Sequence, residues 1–331
     1  MSLRRREFIA GLLGGAAAWP LAAPAQQHAV PVIGWLSSRT AATDALVLPV
    51  FHRALSAQGF IEGRNVAVEH RYTDSQNDRL PALVADLVGR RVAIIVAVGD
   101  ATPTIRAVQA ASATTPIVGF VGDEPVKDGI VASFNRPGGN VTGVVVFQTQ
   151  TGVLQKRLGL LHDLLPQATT VAVLANSQLD GEQGVADLQD AARVLGVQLR
   201  PFYASTDNEI DAVFATLTQS RPDALFVSGS PFFFARLEKI VASATRLALP
   251  TSFFRREFVL AGGLMSYASD TTDSYRIVGE YTGRILKGEK AGDLPIQQPT
   301  RLLLVLNLKT ARALGLTVPT SMFILADEII E

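Results

Sequence analysis

The chain has 331 residues, of which 48% are hydrophobic, and its 30 Lys+Arg residues balance 30 Asp+Glu residues. This balance gives no basic footprint for nucleic acid, and the length suits two domains. We expect the protein to be a monomer. The sequence has no cysteine, which excludes disulfides, thiolate catalysis, cysteine-ligated metal and a lipid anchor on an N-terminal cysteine.

The first 25 residues have the pattern of an export signal. A basic segment, Arg4-Arg5-Arg6-Glu7-Phe8, contains the twin-arginine motif, and a short apolar stretch follows over residues 9–19. Ala23-Pro24-Ala25 supplies the small residues that precede a cleavage site. A membrane anchor is the alternative. The apolar stretch over residues 9–19 is too short for it, because it has eleven residues and a span needs about 20. We therefore predict twin-arginine export to the periplasm, cleavage after Ala25, and no membrane span in the remainder.

The rest of the chain alternates strand and helix patterns. In the first half, apolar runs predict strands over residues 30–36, 65–72, 92–98, 115–121 and 144–147. After a polar linker over 148–150, the order restarts with strands over 170–174, 197–203 and 224–227. Repeated β–α units predict parallel sheets, so we expect an α/β protein with two lobes.

The C-terminal part is less regular and does not form a third repeat. A strand over 262–267, a helix over 274–286 and a strand over 302–306 are predicted. A segment that visits both lobes would explain this order. We predict a first lobe of residues 30–147 with 268–297, and a second lobe of residues 148–267 with 298–331.

Residues 91–106 form a buried strand that leads into a helix. Gly99-Asp100 follows the strand, and the helix opens at Ala101-Thr102. A helix N-terminus presents free N–H groups, which favour an anion such as a carboxylate. Residues 223–233 repeat this arrangement, so the two edges are expected to face each other across a ligand cleft.

Polar and aromatic residues at the predicted strand ends are the candidate ligand contacts, because ligands bind at the carboxyl ends of strands in open α/β sheets. The candidates are Trp35, Ser38, Gly99, Asp100, Ala101, Thr102, Gly122, Asp123, Asn176, Ser230, Phe232 and Phe233. Helix capping is the alternative role for Thr102 and Ser230, and core packing is the alternative for Trp35, which could stack on a flat ligand.

Phe232, Phe233 and Phe234 are not expected to share one core from a single helical turn, so at least one of the three should face the cleft or a partner.

Three further candidates, Tyr267, Asp270 and Arg256, lie later in the chain. Tyr267 and Asp270 flank a crossing between the lobes and are expected to line the hinge. Arg256 suits a ligand carboxylate, although a solvated loop is the alternative.

The sequence has no strong enzyme signal. Its four histidines are scattered, and it lacks the H-E-x-x-H, Gly-x-Ser-x-Gly, Walker and dinucleotide-binding patterns. We therefore predict no catalytic residues, no metal site and no cofactor.

Four segments in order give the chain a family resemblance: Pro137-Gly-Gly-Asn-Val-Thr-Gly143, Glu257-Phe-Val-Leu-Ala-Gly-Gly263, Ile285-Leu-Lys-Gly-Glu289, and Asn307-Leu-Lys-Thr-Ala-Arg-Ala-Leu-Gly-Leu316. With them the chain resembles the substrate-binding proteins of ABC transporters related to tryptophan- and tyrosine-binding proteins, a branch of the type I periplasmic binding proteins. The resemblance implies two Rossmann-like lobes joined by three crossings, with a ligand trapped by hinge closure.

The resemblance also implies a function without catalysis. The protein would bind a small carboxylate-bearing ligand, with an aromatic amino acid as one candidate, and deliver it to a membrane permease and its ATPase. The carboxylate would lie at Ala101-Thr102. Ser230 stands where relatives often have an acid that could meet an α-ammonium group, which leaves a neutral or purely anionic ligand open. A periplasmic sensor module that presents its ligand to a signalling receptor is the alternative function.

Overall fold

Two mainly parallel β-sheets, each flanked by helices, organise the chain. The structure is a computed structural model that describes residues 30–99, 101–122, 124–145, 151–177, 181–298 and 301–331, and residues 31–331 form one unit. In the described part of the chain, five strands form the first sheet and seven form the second. The predicted α/β fold with parallel sheets in two lobes is confirmed.

The first sheet has the order β2-β1-β3-β4-β5, and all its neighbours pair in parallel. Its central strand β3 is buried along its whole length, as expected for a strand covered by helices on both faces. The strands are β1 (Val32–Ser37), β2 (Ala67–Tyr72), β3 (Ile94–Val98), β4 (Ile117–Phe120) and β5 (Val141–Val144). The helices between them are α1 (Ala41–Asp44), α2 (Leu48–Ala57), α3 (Leu80–Gly89) and α4 (Ala101–Ala111).

The second sheet has the order β12-β11-β10-β9-β8-β6-β7. It is parallel except where β10 pairs antiparallel with β11, because the chain re-enters this sheet from the other lobe. The strands are β6 (Thr170–Ala175), β7 (Gln198–Tyr203), β8 (Ala224–Val227), β9 (Thr251–Phe253), β10 (Met265–Ser269), β11 (Leu302–Asn307) and β12 (Glu328–Ile330). The helices are α5 (Thr151–Leu164), α6 (Gly181–Leu195), α7 (Asp207–Ser220), α8 (Pro231–Phe234), α9 (Leu237–Arg246), α10 (Arg256–Leu260), α11 (Thr271–Leu286), α12 (Leu308–Ala313) and α13 (Thr320–Leu325).

Helix α11 belongs with the first sheet although the strands on either side of it belong to the second. It packs against α2 and β5, and Gly279 lets the backbone of α2 approach so closely that a Cβ would lie 2.6 Å from the Phe51 carbonyl oxygen. Described elements therefore alternate between the sheets at three places: β5 to α5, β10 to α11, and the segment before β11. The residue limits predicted for the two lobes stay a prediction.

Local sequence signals explain several element ends. Thr206 and Glu209 form the capping box that begins α7, with the Glu209 N–H donating to Thr206 Oγ1 at 3.2 Å. The sequence over 233–247 predicts a single helix, but the structure has two. Helix α8 is one turn long with Ala235 as its C-cap, and Arg236 takes a non-helical conformation before α9.

Candidate functional site

Four of the predicted ligand residues meet at the carboxyl edge of the first sheet. Ser38 follows β1, Gly99 follows β3, Thr102 lies in the first turn of α4, and Gly122 follows β4. A Cβ on Gly99 would lie 2.2 Å from Ser38 Oγ, and one on Gly122 would lie 2.7 Å from Thr102 Oγ1. Both glycines have left-handed φ angles, +91° and +79°, so glycine is needed here for conformation and for space.

Some predicted residues of this edge are outside the described chain. Asp100 and Asp123 are among them, as is the side chain of Ala101, although the backbone of Ala101 begins α4. Residues 1–25, and with them the predicted signal peptide, are outside it too. Their roles stay predictions.

The carboxyl edge of the second sheet carries Asn176 after β6 and Ser230 after β8, and both are buried. Ser230 is the N-cap of α8, and its Oγ accepts a hydrogen bond from the Phe232 N–H at 3.2 Å. Capping, the alternative weighed from the sequence, is therefore a role that Ser230 has in the structure. A ligand contact of either residue stays a prediction.

The expectation that three consecutive phenylalanines cannot share one core was wrong. Phe232, Phe233 and Phe234 are 6%, 0% and 1% exposed and belong to the same hydrophobic cluster. They fit because α8 is a single turn enclosed by neighbours on several sides, including Arg236, whose Cζ lies 3.8 Å from the centre of the Phe232 ring. Phe234, which was not among the predicted ligand residues, contacts Arg39 of the first lobe.

Phe234 belongs to a group that we call the arginine cluster: Arg39, Asp44, Phe234, Arg255, Glu257 and Tyr275. Arg39 follows β1, and its guanidinium carbon lies 5.5 Å from the centre of the Phe234 ring and 5.4 Å from that of Tyr275. The side chain of Arg39 is 2% exposed, and its Nε lies 3.1 Å from Asp44 Oδ1. The cluster therefore joins the strand ends of both sheets, because Phe234 follows β8.

Arg255 contributes the second cation of the cluster. It follows β9, its Cζ lies 4.4 Å from the centre of the Phe234 ring, and it donates to Glu257 Oε1 at 2.9 Å and to Thr271 Oγ1 at 3.1 Å. Phe234 therefore contacts a guanidinium from each lobe. No sequence pattern predicted this cluster, although Arg39 follows directly after the predicted Ser38.

Burial and neighbouring charges set the protonation of the cluster. Burial lowers the pKa of Arg39 to about 10. The negative charge of Asp44 opposes this shift, and the like charge of Arg255 adds to it. Burial alone would raise the pKa of Glu257, but the charge and hydrogen bonds of Arg255, together with Arg39, hold it below its ordinary value. Both side chains are therefore ionised at neutral pH.

Trp35 contacts two members of the arginine cluster, Asp44 and Tyr275. Its ring is fully buried against Phe51, His70 and Tyr275, and its indole N–H donates to Asp44 Oδ2 at 2.6 Å. In this arrangement the tryptophan fixes the carboxylate that pairs with Arg39. Stacking of Trp35 on a ligand stays a prediction.

Of the remaining predicted residues, Arg256 and Asp270 help to line a cavity of about 190 Å³ between α2 and α10, together with Arg255. Arg256 is ion-paired with Glu328, and Asp270 caps α11 by accepting from the Thr272 N–H at 2.9 Å. Tyr267 does not line this cavity. It packs on the other face of the second sheet, because side chains alternate along β10.

No three His, Asp or Glu side chains come together as a metal site within the described part of the chain. None of the helices described is both long and apolar enough to cross a membrane.

The comparisons with known proteins agree with one another. The family model for ABC transporter substrate binding proteins matches residues 42–330. A tyrosine-binding protein of Clostridioides difficile is 24% identical over 267 residues, which cover 80% of this chain and 75% of that protein.

Solved structures show the same fold. An ABC domain from Streptococcus pneumonia in complex with L-Trp has a TM-score of 0.79 at 24% identity, covering 91% of this chain and 100% of that one. A conserved domain protein from Vibrio cholerae has the same TM-score and coverage at 20% identity. A ligand-free, open substrate-binding protein from Clostridium difficile has a TM-score of 0.63 at 22% identity, covering 91% of this chain and 99% of that one.

Proposed function

The chain belongs to the ABC transporter substrate-binding protein family, and we propose that it traps a small carboxylate-bearing ligand between its lobes. The ligand is released to a membrane permease that its ATPase drives, and the protein itself catalyses no reaction. The observation that carries this proposal is the convergence of Ser38, Gly99, Thr102 and Gly122 at one sheet edge, joined to the opposite edge through the arginine cluster.

The polar groups at the cleft suit an anionic group better than a neutral one. Helix α4 has eleven residues and begins at the first edge, so its free N–H groups carry partial positive charge. Arg39 and Arg255, each paired with a carboxylate of the arginine cluster, add guanidinium N–H donors on the side of the strand ends. Relatives support the same ligand class, since one is a tyrosine-binding protein and another is a complex with L-Trp.

Closure of the lobes is the step that would retain the ligand. The chain crosses between the sheets beside β5, β10 and β11, and a hinge there lets the lobes move as rigid bodies. Contacts between Arg39 and Phe234 can form only when the lobes are together. A ligand that binds the closed form better than the open form would shift the population towards closure.

Export completes the proposal. The twin-arginine pattern at Arg5 and Arg6 would bring the protein to the periplasm, where cleavage after Ala25 would release it as a monomer to collect ligand for the permease.

A ligand screen tests the proposed function. The purified protein is heated with L-tryptophan, L-tyrosine, benzoate and other small carboxylates, and native mass spectrometry identifies any co-purified molecule. A ligand that binds only the folded protein raises the melting temperature, by an amount equivalent to about 2.7 kcal/mol at 100 times its Kd. Failure of every carboxylate to raise it, with no co-purified ligand, would overturn the proposal. Binding without any effect of permease deletion on uptake would favour a sensor.

A further inference from the structure

We propose that Arg39 is the specificity-determining residue of the cleft, which recognises the carboxylate of the ligand. This inference rests on the proposed function and names the residue that selects the ligand class. The first observation is that a guanidinium carries five N–H donors, yet Arg39 is almost fully buried. Among the described residues, neither Nη1 nor Nη2 of Arg39 has a hydrogen-bond partner.

Asp44 does not supply hydrogen-bond acceptors for Nη1 and Nη2 of Arg39. It lies on the Nε side of Arg39, and one of its oxygens already accepts from Trp35. Its other oxygen, Oδ1, is within ion-pair distance of Nε but forms no hydrogen bond with a described residue. The two terminal nitrogens of Arg39 therefore have no hydrogen-bond acceptor among the described residues, and unsatisfied buried donors are costly.

Tyr275 adds a second polar group at the same place. Its hydroxyl is buried and has no hydrogen-bond partner in the described chain, and its ring lies 5.4 Å from the guanidinium carbon of Arg39. Two neighbouring side chains thus offer hydrogen bonds that the described protein does not use. A carboxylate can accept two parallel N–H bonds from one guanidinium and has lone pairs left for a hydroxyl.

The charges of the arginine cluster indicate which chemical group of a ligand Arg39 would bind. Arg39 and Arg255 are cations, Asp44 and Glu257 are anions, and the four charges sum to zero. Arg39 therefore lacks hydrogen-bond acceptors rather than a counter-charge. A planar carboxylate supplies these acceptors in the fork geometry of arginine, whereas a carboxamide offers one oxygen.

Access to Arg39 depends on the position of the lobes. Phe234 of the second lobe covers the guanidinium in this structure, and Arg255 lies on the same ring. Opening of the cleft would withdraw Phe234 and uncover Arg39 for the ligand, and closure would return the ring over the bound pair. Arg39 thereby couples recognition of the carboxylate to closure.

Matched ligand pairs test this inference. Calorimetry measures Kd for L-tryptophan against L-tryptophanamide, L-tyrosine against L-tyrosinamide, and benzoate against benzamide. We expect the wild-type protein to prefer the carboxylate member. Arg39→Met should weaken carboxylate binding about 10- to 100-fold, the loss of a charged hydrogen-bonded contact, and should abolish the preference over the amide.

Two further variants at Arg39 and one control variant show whether a change in binding comes from the loss of the guanidinium. Arg39→Met leaves Asp44 without its counter-charge, so Arg39→Met/Asp44→Asn removes both charges and carries the test if the single variant does not fold. Arg39→Lys keeps the charge but lacks the fork, and should retain part of the preference with weaker binding. Arg90→Met is the control, because Arg90 is an exposed partner of Asp86 on the same lobe.

The outcomes separate the two proposals. If the wild-type protein binds a carboxylate and the Arg39 variants bind it equally well with the same preference, the role of Arg39 is overturned and the proposed function stands. If the wild-type protein binds no member of any pair and nothing co-purifies with it, both are overturned. Loss of preference in the Arg39 variants, with Arg90→Met unchanged, supports the inference.

Discussion

The contact between Arg39 and Phe234 allows a quantitative test of lobe closure in the ligand-free protein. Phe234 is 1% exposed and lies 5.5 Å from the guanidinium carbon of Arg39, within the distance at which cations and aromatic rings attract. We propose a double-mutant cycle that combines Phe234→Leu with Arg39→Met/Asp44→Asn. Changing Arg39 and Asp44 together avoids leaving a buried carboxylate unpaired.

The size of the coupling follows from burial. A cation–π contact contributes about 0.5–1 kcal/mol at exposed sites and about 2 kcal/mol when desolvated, and both partners here are desolvated. We therefore expect a coupling free energy of about 1–2 kcal/mol. Phe234→Leu also removes the contact with Arg255, but it does so with and without the Arg39 and Asp44 changes, so this loss cancels from the coupling free energy.

The assay is urea denaturation of the four proteins followed by tryptophan fluorescence and circular dichroism. Phe214→Leu is the matched control, since Phe214 is buried in the same cluster as Phe234 and has no aromatic–cation contact with Arg39 among the described residues. Its effect should add to that of the Arg39 and Asp44 changes. Additivity within about 0.3 kcal/mol for Phe234 itself would refute the reasoning, because independent sites show no coupling.

Three further changes have defined outcomes. Gly99→Ala should cost about 1–2 kcal/mol in unfolding free energy and weaken ligand binding, because φ is +91° and the new Cβ meets Ser38, whereas Gly89→Ala, with open space around it, should cost nothing; equal melting temperatures would contradict this. The folded pKa of Glu257 is below its ordinary 4.5, so its stabilising contribution is complete above pH 4.5 and is lost as pH falls through the folded pKa. Unfolding measured against pH should therefore show the advantage of the wild type over Glu257→Gln shrinking in acid, and parallel curves would argue otherwise. Replacing Arg5 and Arg6 with lysine should stop export, as judged by immunoblots of the periplasm, and a normal periplasmic yield would mean another route.

Much of the fold followed from local signals. The apolar run of β3 predicted a buried strand, and Thr206 and Glu209 form a capping box, a signal within four residues of sequence, at the start of α7. Helix α8 was harder, because its end depends on the contacts that Arg236 makes with Phe232 and Asp207 rather than on neighbouring sequence.

The candidate site was predictable only in part. Ser38, Gly99, Thr102 and Gly122 each end a strand or begin a helix, so their meeting at one edge follows from parallel pairing alone. Arg39 and Phe234 carry no local pattern that marks them. They are 195 positions apart, and their contact depends on how one lobe lies against the other.

The sequence by itself determined the alternation of strands and helices, the parallel sheets and the polar residues at their carboxyl ends, because hydrophobic periodicity and caps act over a few neighbouring residues. Only the tertiary structure decided the antiparallel pairing of β10 with β11, the burial of all three phenylalanines and the arginine cluster. These features depend on packing between distant segments. We propose that residues 91–106 supply one edge of the ligand cleft, and that Arg39, paired with Asp44, supplies the hydrogen-bond donors with which the cleft selects its ligand.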